Sequence, residues 1–228
     1  MISEKGGEGF EEEGRESMND EELNSWFEAN KNVLETAYIA GTSPWQQSGV
    51  GLHTPRNAQD WEVMRRPIAD CLPTSGTFLD IGCANGYLLE CILRWTQARG
   101  LQIDPYGLDF SEKLVVLARQ RLRPYADHIF LGNAWYWSPP QLFDYVSTTL
   151  YYVPDELRED FVHRLLERYV RSGGWLLVSE YLGRNTPMPK MRIDEELRRW
   201  GFSLEMVKAS QLERDPFAQM RVAVVKKK

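Results

Sequence analysis

The stretch Phe78-Leu79-Asp80-Ile81-Gly82-Cys83-Ala84-Asn85-Gly86-Tyr87-Leu88-Leu89 decides the fold of this 228-residue chain. An apolar run ends at an acid, a tight turn of small residues follows, and an amphipathic helical run begins directly afterwards. Gly82 and Gly86 let the backbone turn sharply and let a ligand approach without a Cβ in the way. The N-terminus of the new helix offers unpaired N–H groups. The stretch therefore predicts a strand–turn–helix unit with a ligand site at its turn.

The same alternation of short apolar runs and helical stretches continues along the rest of the chain. Strands are predicted at Thr77–Ile81, Asp104–Leu108, His128–Leu131, Tyr145–Thr149 and Trp175–Ser179. Helices are predicted at Gly86–Arg99, Glu112–Leu122, Glu156–Arg171 and Asp194–Trp200. Alternating strands and helices indicate crossover connections and a mostly parallel sheet covered on both faces. The order is that of a Rossmann-like, doubly wound α/β fold.

Two further strands are predicted at the end of the chain, with no helix between them. They are Ser203–Ala209 and Gln219–Lys226, joined by a turn-rich stretch around Asp215–Pro216. Strands connected so briefly pair in antiparallel fashion. We therefore expect a seven-stranded sheet with a terminal antiparallel β-hairpin at its edge.

The N-terminal third has a different pattern. Residues 1–17 are acidic, rich in glycine and poor in apolar side chains, which predicts a disordered tail. Helical spacing of apolar residues begins near Asp20, which we expect to cap the first helix, and a second helix is predicted from Ala58 to Cys71. Between them, Gly41–Thr54 reads as a loop. The predicted division is 1–17, 18–75 and 76–228.

Composition disfavours several classes of partner. The formal net charge is −6, from 33 acidic and 27 basic residues, whereas binding to nucleic acid or to anionic membranes needs clustered Lys and Arg. No run of 18 apolar residues is present, so no membrane-spanning helix is expected. Three cysteines, with no pair at metal-binding or redox spacing, fit a reducing compartment. We expect a cytoplasmic protein without nucleic-acid, membrane or metal partners.

Polar residues at the ends of three successive strands indicate what the turn binds. The glycine-rich turn of dinucleotide-binding proteins has the pattern G-x-G-x-x-G, which is absent from this turn. Asp80 at the tip of the strand would repel a pyrophosphate, whereas it suits an ammonium group. Asp109 ends the second strand, where an acid can accept bonds from ribose hydroxyls. After the third strand, Asn133, Ala134 and Trp135 can read and stack on an adenine. Taken singly, each of these polar residues also has a structural interpretation, as a capping acid or a turn residue.

An amino-acid group, a ribose and an adenine in this chain order resemble the layout of class I S-adenosylmethionine-dependent methyltransferases. The resemblance covers about residues 76 to 228, and it implies S-adenosylmethionine as the cofactor. In that family the motif after the third strand is usually G-D-A, whereas this chain has Gly132-Asn133-Ala134. The side-chain amide oxygen of Asn133 can still accept a hydrogen bond. The resemblance implies a cofactor site of Asp80, Gly82, Ala84, Gly86, Asp109, Phe110, Asn133, Ala134, Trp135 and Thr149.

The acceptor of the methyl group is expected beyond the carboxyl ends of the fourth and fifth strands. Tyr151 and Tyr152 follow the fourth strand, and Glu180 and Tyr181 follow the fifth. A phenol has an ordinary pKa of about 10, so Glu180 is the better candidate base, with a capping or ion-pair function as the alternative. We expect Glu180 or Tyr151 to act as an acid–base or orienting group, and Tyr152 and Tyr181 to contact the acceptor.

Residues 18–75 have no counterpart in the cofactor domain. In the family such extensions fold over the site as a helical lid that shapes the acceptor pocket, and the loop from Ser43 to Gly49 is similar to a Trp-containing loop of thiol and halide methyltransferases. The resemblance therefore implies acceptor contact for Trp45, although packing on the core is the alternative. His53, in the same loop, is a third candidate acid–base or orienting group.

The function predicted from the sequence is methyl transfer to a small-molecule acceptor through an O, N, S or C nucleophile, by in-line displacement. The main alternative is a non-catalytic methyltransferase-like module that binds the cofactor or acts as a partner subunit. The negative charge disfavours tRNA as the substrate. The sequence Thr-Leu-Tyr-Tyr after the fourth strand also differs from the Asn/Asp-Pro-Pro-Tyr type of motif that enzymes methylating amino groups of nucleic acids carry there. A nicotinamide dehydrogenase ranks last. We expect a monomer or a homodimer.

Overall fold

The computed structural model describes residues 18–49, 57–183 and 191–228, which fold around one mixed seven-stranded sheet. The predicted tail at 1–17 and His53 lie outside the described residues. The strands are β1 Gly76–Ile81, β2 Ile103–Asp109, β3 Ile129–Leu131, β4 Phe143–Thr149, β5 Val170–Leu182, β6 Leu204–Leu212 and β7 Asp215–Lys226. The helices are α1 Asp20–Ile39, α2 Ala58–Asp70, α3 Tyr87–Gln97, α4 Glu112–Arg121, α5 Arg158–Arg168 and α6 Ile193–Arg199.

The strand order across the sheet is β3-β2-β1-β4-β5-β7-β6. The first five strands pair in parallel, and β7 pairs antiparallel with both β5 and β6. The predicted doubly wound fold with a terminal antiparallel hairpin is confirmed. From β1 the chain builds the sheet outward in one direction, through β2 to β3, and then crosses back to place β4 on the other side of β1. The strand order therefore reverses between β1 and β4, and ligands of such sheets bind at that point.

Helices cover both faces of the sheet. On one face, α2, α3 and α4 pack on β1 and β7 through a core that includes Phe78, Ile92 and Val224. On the other face, α5 and α6 bury Phe161 and Leu197, and α1 adds Leu23 and Phe27. Alternate residues of each strand enter opposite cores, as Phe78 and Leu79 do in β1.

Several predicted boundaries were wrong. Asn19, not Asp20, caps α1, because its side chain accepts the N–H groups of Glu21 and Glu22 while Glu22 accepts the N–H of Asn19. The helix predicted to reach Arg171 ends at Arg168, since Val170 already pairs with Phe143 in the sheet. The hairpin turn lies at residues 213–214, because Asp215 begins β7 and pairs with Leu212.

The three cysteines, Cys71, Cys83 and Cys91, are buried and free of disulfide bonds. Within the described ranges, none of the helices combines the length and the apolar character that crossing a bilayer would require. The carboxyl ends of the parallel strands β1, β2, β4 and β5 lie at one edge of the sheet, and a ligand site can form there.

Candidate functional site

The glycine-rich turn after β1 is held in left-handed backbone conformations. Gly82 and Gly86 have φ angles of +79° and +76°, and Ala84 has +48°. At Gly82 a Cβ would lie 2.1 Å from the hydroxyl oxygen of Tyr152, so no side chain fits there. Gly86 caps the N-terminus of α3, and a Cβ there would lie 3.2 to 3.3 Å from Ala118 and Leu122, so its lack of a Cβ serves helix packing.

Asp109, at the end of β2, fastens this turn to the next strand. Its Oδ2 accepts the N–H of Ala84 at 2.8 Å, and its Oδ1 accepts the N–H of Ser111 at 2.9 Å. Burial raises the pKa of Asp109 to about 6, although the backbone N–H groups of Ser111, Ala84 and Phe110 act in the opposite direction. The carboxylate keeps free lone pairs for a ligand beyond those bonds.

Asp80, at the tip of β1, is a buried carboxyl without a hydrogen-bonding or charged partner among the described residues. Its side chain is only 4% exposed, and no hydrogen bond or ion pair joins it to another residue in the described part of the chain. Burial, with a further contribution from Asp109, raises the pKa of Asp80 to about 8. A buried carboxyl of this kind favours a cationic ligand, because a cation would replace the lost hydration of its charged form.

A small cavity lies over the ends of β2 and β3. Its walls include Asp109, Phe110, Asn133, Ala134 and Trp135, the residues predicted to hold the nucleoside part of the cofactor. Asn133 Oδ1 also accepts the N–H of Trp135 at 2.8 Å, so one of its lone pairs is used by the turn itself. The structure therefore brings the predicted nucleoside residues together at one place.

The larger cavity, of about 410 Å³, lies over the ends of β1, β4 and β5 and under α1 and α2. Asp80, Gly82, Ala84, Thr149, Tyr151, Tyr152 and Tyr181, all predicted from the sequence, line it. Tyr38 of α1, with Trp61 and Arg65 of α2, also line it and were missed by the sequence analysis. Residues predicted for the cofactor's amino-acid part and for the acceptor thus line one cavity, next to the smaller cavity that holds the predicted nucleoside residues.

Tyr152 stands between the two cavities. It lines both of them, as do Ile81 and Gly82, and its hydroxyl donates a weak hydrogen bond to the Gly82 carbonyl at 3.5 Å. Its ring closes the passage over the glycine turn, because it occupies the space that a Cβ at position 82 would enter. A ligand that reaches from one cavity into the other has to pass this ring.

The phenols of the larger cavity hold their protons tightly. Burial raises the pKa of Tyr38 to about 12, and it raises those of Tyr151, Tyr152 and Tyr181 as well. These four groups stay neutral near pH 7, where they can donate hydrogen bonds or shape the cavity but do not act as bases.

Two residues predicted for the acceptor site do not line either cavity. Glu180 forms an ion pair with Arg192, because successive residues of a strand face opposite sides and its neighbours Ser179 and Tyr181 face the cavity. Trp45 packs against the core cluster that contains Trp61. The structure therefore favours the ion-pair interpretation of Glu180 and the core-anchor interpretation of Trp45.

The loop that contains Trp45 is tied to the glycine turn by Asn85, which the sequence analysis missed. Its side-chain amide donates to the carbonyl of Pro44 at 3.0 Å, and its oxygen accepts the N–H of Tyr87 at 3.1 Å. Trp61 fixes the end of the same loop by donating its indole N–H to the carbonyl of Ser48 at 2.6 Å. Ser48 and Gly49, at the end of this loop, line the larger cavity.

Neither a protein-family model nor a curated protein matches this sequence. Solved structures do match. The Burkholderia thailandensis 1,6-didemethyltoxoflavin-N1-methyltransferase, with its substrate and S-adenosylhomocysteine bound, aligns with a TM-score of 0.62 at 13% identity, over 90% of each chain. The magnesium protoporphyrin IX methyltransferase of Synechocystis PCC 6803, with bound S-adenosylmethionine, gives 0.56 at 16% identity, over 94% of this chain and 100% of that one.

A third similar structure is the [4+2]-cyclase SpnF, with a TM-score of 0.57 at 15% identity over 90% of this chain and 94% of that one. These likenesses show that the chain has the fold of the class I S-adenosylmethionine-dependent methyltransferases, as the sequence predicted. Since one of these proteins is described as a cyclase, the fold alone does not assign a reaction.

Proposed function

We propose that this protein transfers a methyl group from S-adenosylmethionine to a small-molecule acceptor. The observation that supports the proposal most directly is Asp80, a carboxyl that is buried and unpaired within the described residues, beside a turn that excludes side chains. An unpaired buried acid costs stability, and a bound cation would offset that cost. The ammonium group of the cofactor's amino-acid part is such a ligand.

The residues present fit the rest of that cofactor. Asp109 and Phe110 lie where the ribose would meet the end of β2, and Asn133, Ala134 and Trp135 form the wall for an adenine. Trp135 offers an aromatic face, which Arg164 approaches to 5.5 Å on one side. Ala84 of the glycine turn and Thr149 at the end of β4 line the larger cavity beside this part of the site.

The cofactor, when bound, supplies a methyl group on a positively charged sulfur, which leaves as a neutral thioether. The chain's own residues then have to hold the acceptor in line with that methyl and keep water away. The larger cavity, roofed by α1 and α2, provides the enclosure. Its four tyrosines keep their protons, so the described residues of the cavity favour an acceptor that needs little help with deprotonation.

The remaining predictions of the sequence become parts of this proposal. Within the N-terminal segment, α1 and α2 cover the acceptor side of the site, since Tyr38, Trp61 and Arg65 line the larger cavity. Tyr151 and Tyr181 orient the acceptor through their hydroxyls or rings, and Tyr152 contacts both ligands at the passage between the cavities. The proposed compartment is the cytoplasm, and the proposed assembly is a monomer or a homodimer.

Isothermal titration of the protein with S-adenosylhomocysteine and, separately, with NAD tests the proposal. We expect micromolar binding of the former and none of the latter, with Asp109→Ala reducing the affinity at least tenfold. A matched control is Asp194→Asn, because Asp194 lies on α6 in ion pairs with Arg198 and Arg221, away from both cavities. Binding of neither compound to the wild-type protein would remove the basis of the proposal.

A further inference from the structure

Tyr152 is the side chain at the junction of the two cavities. Among the described residues, three line both cavities, namely Ile81, Gly82 and Tyr152. Gly82 has no side chain, and Ile81 is buried in the core that α5 and α6 cover. Tyr152 is therefore the one residue of the three that brings an aromatic ring and a polar group to the junction. Its ring lies directly over the glycine turn, since a Cβ at Gly82 would meet its hydroxyl oxygen at 2.1 Å.

The two acids of the site are both close to this ring. Asp80 lines the larger cavity and Asp109 lines the smaller one, and neither lines both. Burial raises the pKa of Tyr152 well above its ordinary value, and Tyr38, Asp80 and Asp109 raise it further. An effect of both carboxyls on one hydroxyl requires that each lies near it, and this agrees with the position of Tyr152 between the cavities. The phenol stays neutral near pH 7.

The covalent order of the cofactor determines which of its atoms comes to this junction. The sulfur of S-adenosylmethionine is bonded to the amino-acid chain on one side and to the methylene carbon of the ribose on the other. In the proposed function, Asp80 holds the ammonium group from the larger cavity, and Asp109 holds the ribose from the smaller one. The sulfur then lies where the cavities meet, which is the position of Tyr152.

The chemistry of a sulfonium group suits an aromatic partner. A sulfonium has a positive charge but no N–H or O–H group, so it cannot donate an ordinary hydrogen bond to a carboxylate or a carbonyl. The face of an aromatic ring attracts a cation through its quadrupole, whether or not the cation carries donors. The rings of Trp135 and Phe161 line the smaller cavity alone, and those of Tyr38 and Trp61 line the larger cavity alone. Within the described residues, Tyr152 is thus the aromatic ring placed for the sulfur.

We propose that the ring of Tyr152 binds the sulfonium centre of the cofactor through a cation–π contact, and that it thereby distinguishes S-adenosylmethionine from S-adenosylhomocysteine. This inference rests on the proposed function and adds to it the residue that recognises the charged sulfur. In the transfer, the bond between sulfur and the methyl carbon breaks with its electron pair left on sulfur, and the methyl carbon bonds to the acceptor nucleophile. The sulfonium becomes a neutral thioether. The attraction to Tyr152 ends with the charge, which favours replacement of the spent cofactor by a fresh one.

The test is the ratio of two affinities in each variant. Titration calorimetry without acceptor, at one pH, gives the dissociation constants of S-adenosylmethionine and S-adenosylhomocysteine. The amino-acid group, the ribose and the adenine are common to both compounds, so a loss of contacts to these parts cancels in the ratio. A cation–π contact away from water strengthens binding by roughly thirtyfold. We therefore expect Tyr152→Leu to lower the preference for S-adenosylmethionine by tenfold or more, whereas Tyr152→Phe keeps it within about threefold.

Tyr151→Leu is the matched control. Tyr151 precedes Tyr152 in the chain and lines the larger cavity, but it does not line the smaller one. Its replacement should leave the ratio of the two affinities at the wild-type value. The same ratio in Tyr152→Leu as in the wild-type protein would overturn the inference. A loss of the preference in Tyr152→Phe as large as that in Tyr152→Leu would also overturn it, because the hydroxyl group rather than the ring would then be the partner of the sulfur.

A second series keeps the test decisive should Tyr152→Leu fail to fold. Phenylalanines with increasing numbers of ring fluorines, incorporated at position 152, keep nearly the same shape while the electrons of the ring face are withdrawn. The preference for S-adenosylmethionine should fall with each added fluorine. A preference that does not change along this series would contradict the cation–π contact. In every case the binding of S-adenosylhomocysteine to the wild-type protein reports separately on the proposed function, since this compound lacks the charge on sulfur.

Discussion

The unpaired carboxyl of Asp80 makes cofactor binding depend on pH in a calculable way. With a pKa of about 8, its ionised fraction is about 1% at pH 6 and about 10% at pH 7. A ligand whose ammonium group needs the carboxylate binds with an apparent affinity proportional to that fraction. The affinity for S-adenosylhomocysteine should therefore rise about tenfold between pH 6 and pH 7.

Asp109 contributes little to this change. Its pKa is about 6, so its ionised fraction rises only from about one half to about nine tenths over the same interval, at most about a twofold effect. Below pH 7 an α-amino group, with a pKa near 8, remains mostly protonated and does not change the result. Nearly all of the expected dependence thus comes from Asp80.

Titration calorimetry at pH 6.0, 6.5 and 7.0, in two buffers of different ionisation enthalpy, measures both the affinity and the protons released. Asp80→Asn should lower the affinity at pH 7 and reduce the tenfold rise to twofold or less. Asp194→Asn, whose carboxylate is paired with Arg198 and Arg221, should keep the full rise. An affinity that stays constant over this interval in the wild-type protein, or a tenfold rise that survives in Asp80→Asn, would contradict the assignment of the ammonium site.

Four further results are expected. Because the folded-state pKa of Asp80 is raised above its unfolded value, the contribution of Asp80 to stability falls as the pH rises from about 4 to about 8. The ligand-free Asp80→Asn variant should therefore melt at a higher temperature than the wild-type protein at pH 8. Gly82→Ala should abolish S-adenosylhomocysteine binding, because its Cβ meets Tyr152, whereas Gly100→Ala, at a similar φ of +75° with nothing within 4 Å, should retain it and lose only about 1–2 kcal/mol of stability. Trp135→Ala should weaken the same binding by about 5- to 150-fold, the value of about 1–3 kcal/mol for a base stacked on an aromatic ring, and Trp135→Phe should restore most of it. Glu180→Gln should lower the melting temperature, since it breaks the ion pair with Arg192, and leave the affinity within about twofold; a tenfold loss of affinity at unchanged stability would return Glu180 to the binding site.

The parts of the site that the sequence predicted are those governed by local rules. The strand–turn–helix around Gly82 and the acid that ends β2 are set by neighbours in the chain, and parallel strands necessarily bring their carboxyl ends to one edge. The hairpin of β6 and β7 followed for the same reason, because no helix separates the two strands. The predicted nucleoside wall, with Asn133 and Trp135, is likewise assembled from consecutive residues.

The acceptor side was predicted less well because it depends on how distant segments pack. Successive residues of a strand point to opposite faces, so Glu180 and Tyr181 of β5 cannot share a face. This rule alone would have removed one of the two from the predicted acceptor site. Arg65 follows Trp61 by four residues, so it shares the buried face of α2, and an arginine on an apolar helix face was a usable sign. That this face meets Tyr181 and encloses a cavity follows only from the packing of α2 beside the sheet.

The charged residues that line the larger cavity limit which ligands can bind there. Likeness to other structures does not give that information. Its described lining holds one acid, Asp80, and one cation, Arg65, together with tyrosines that stay neutral near pH 7. In the proposed function, Asp80 would hold the ammonium group of the cofactor, and the rest of the cavity of about 410 Å³ would receive the acceptor. In-line displacement at a sulfonium needs chiefly this alignment and the exclusion of water, rather than a strong base. The proposed transfer therefore needs both ligands in one enclosed cavity, and the titrations with Asp80→Asn test the part of it that belongs to the cofactor.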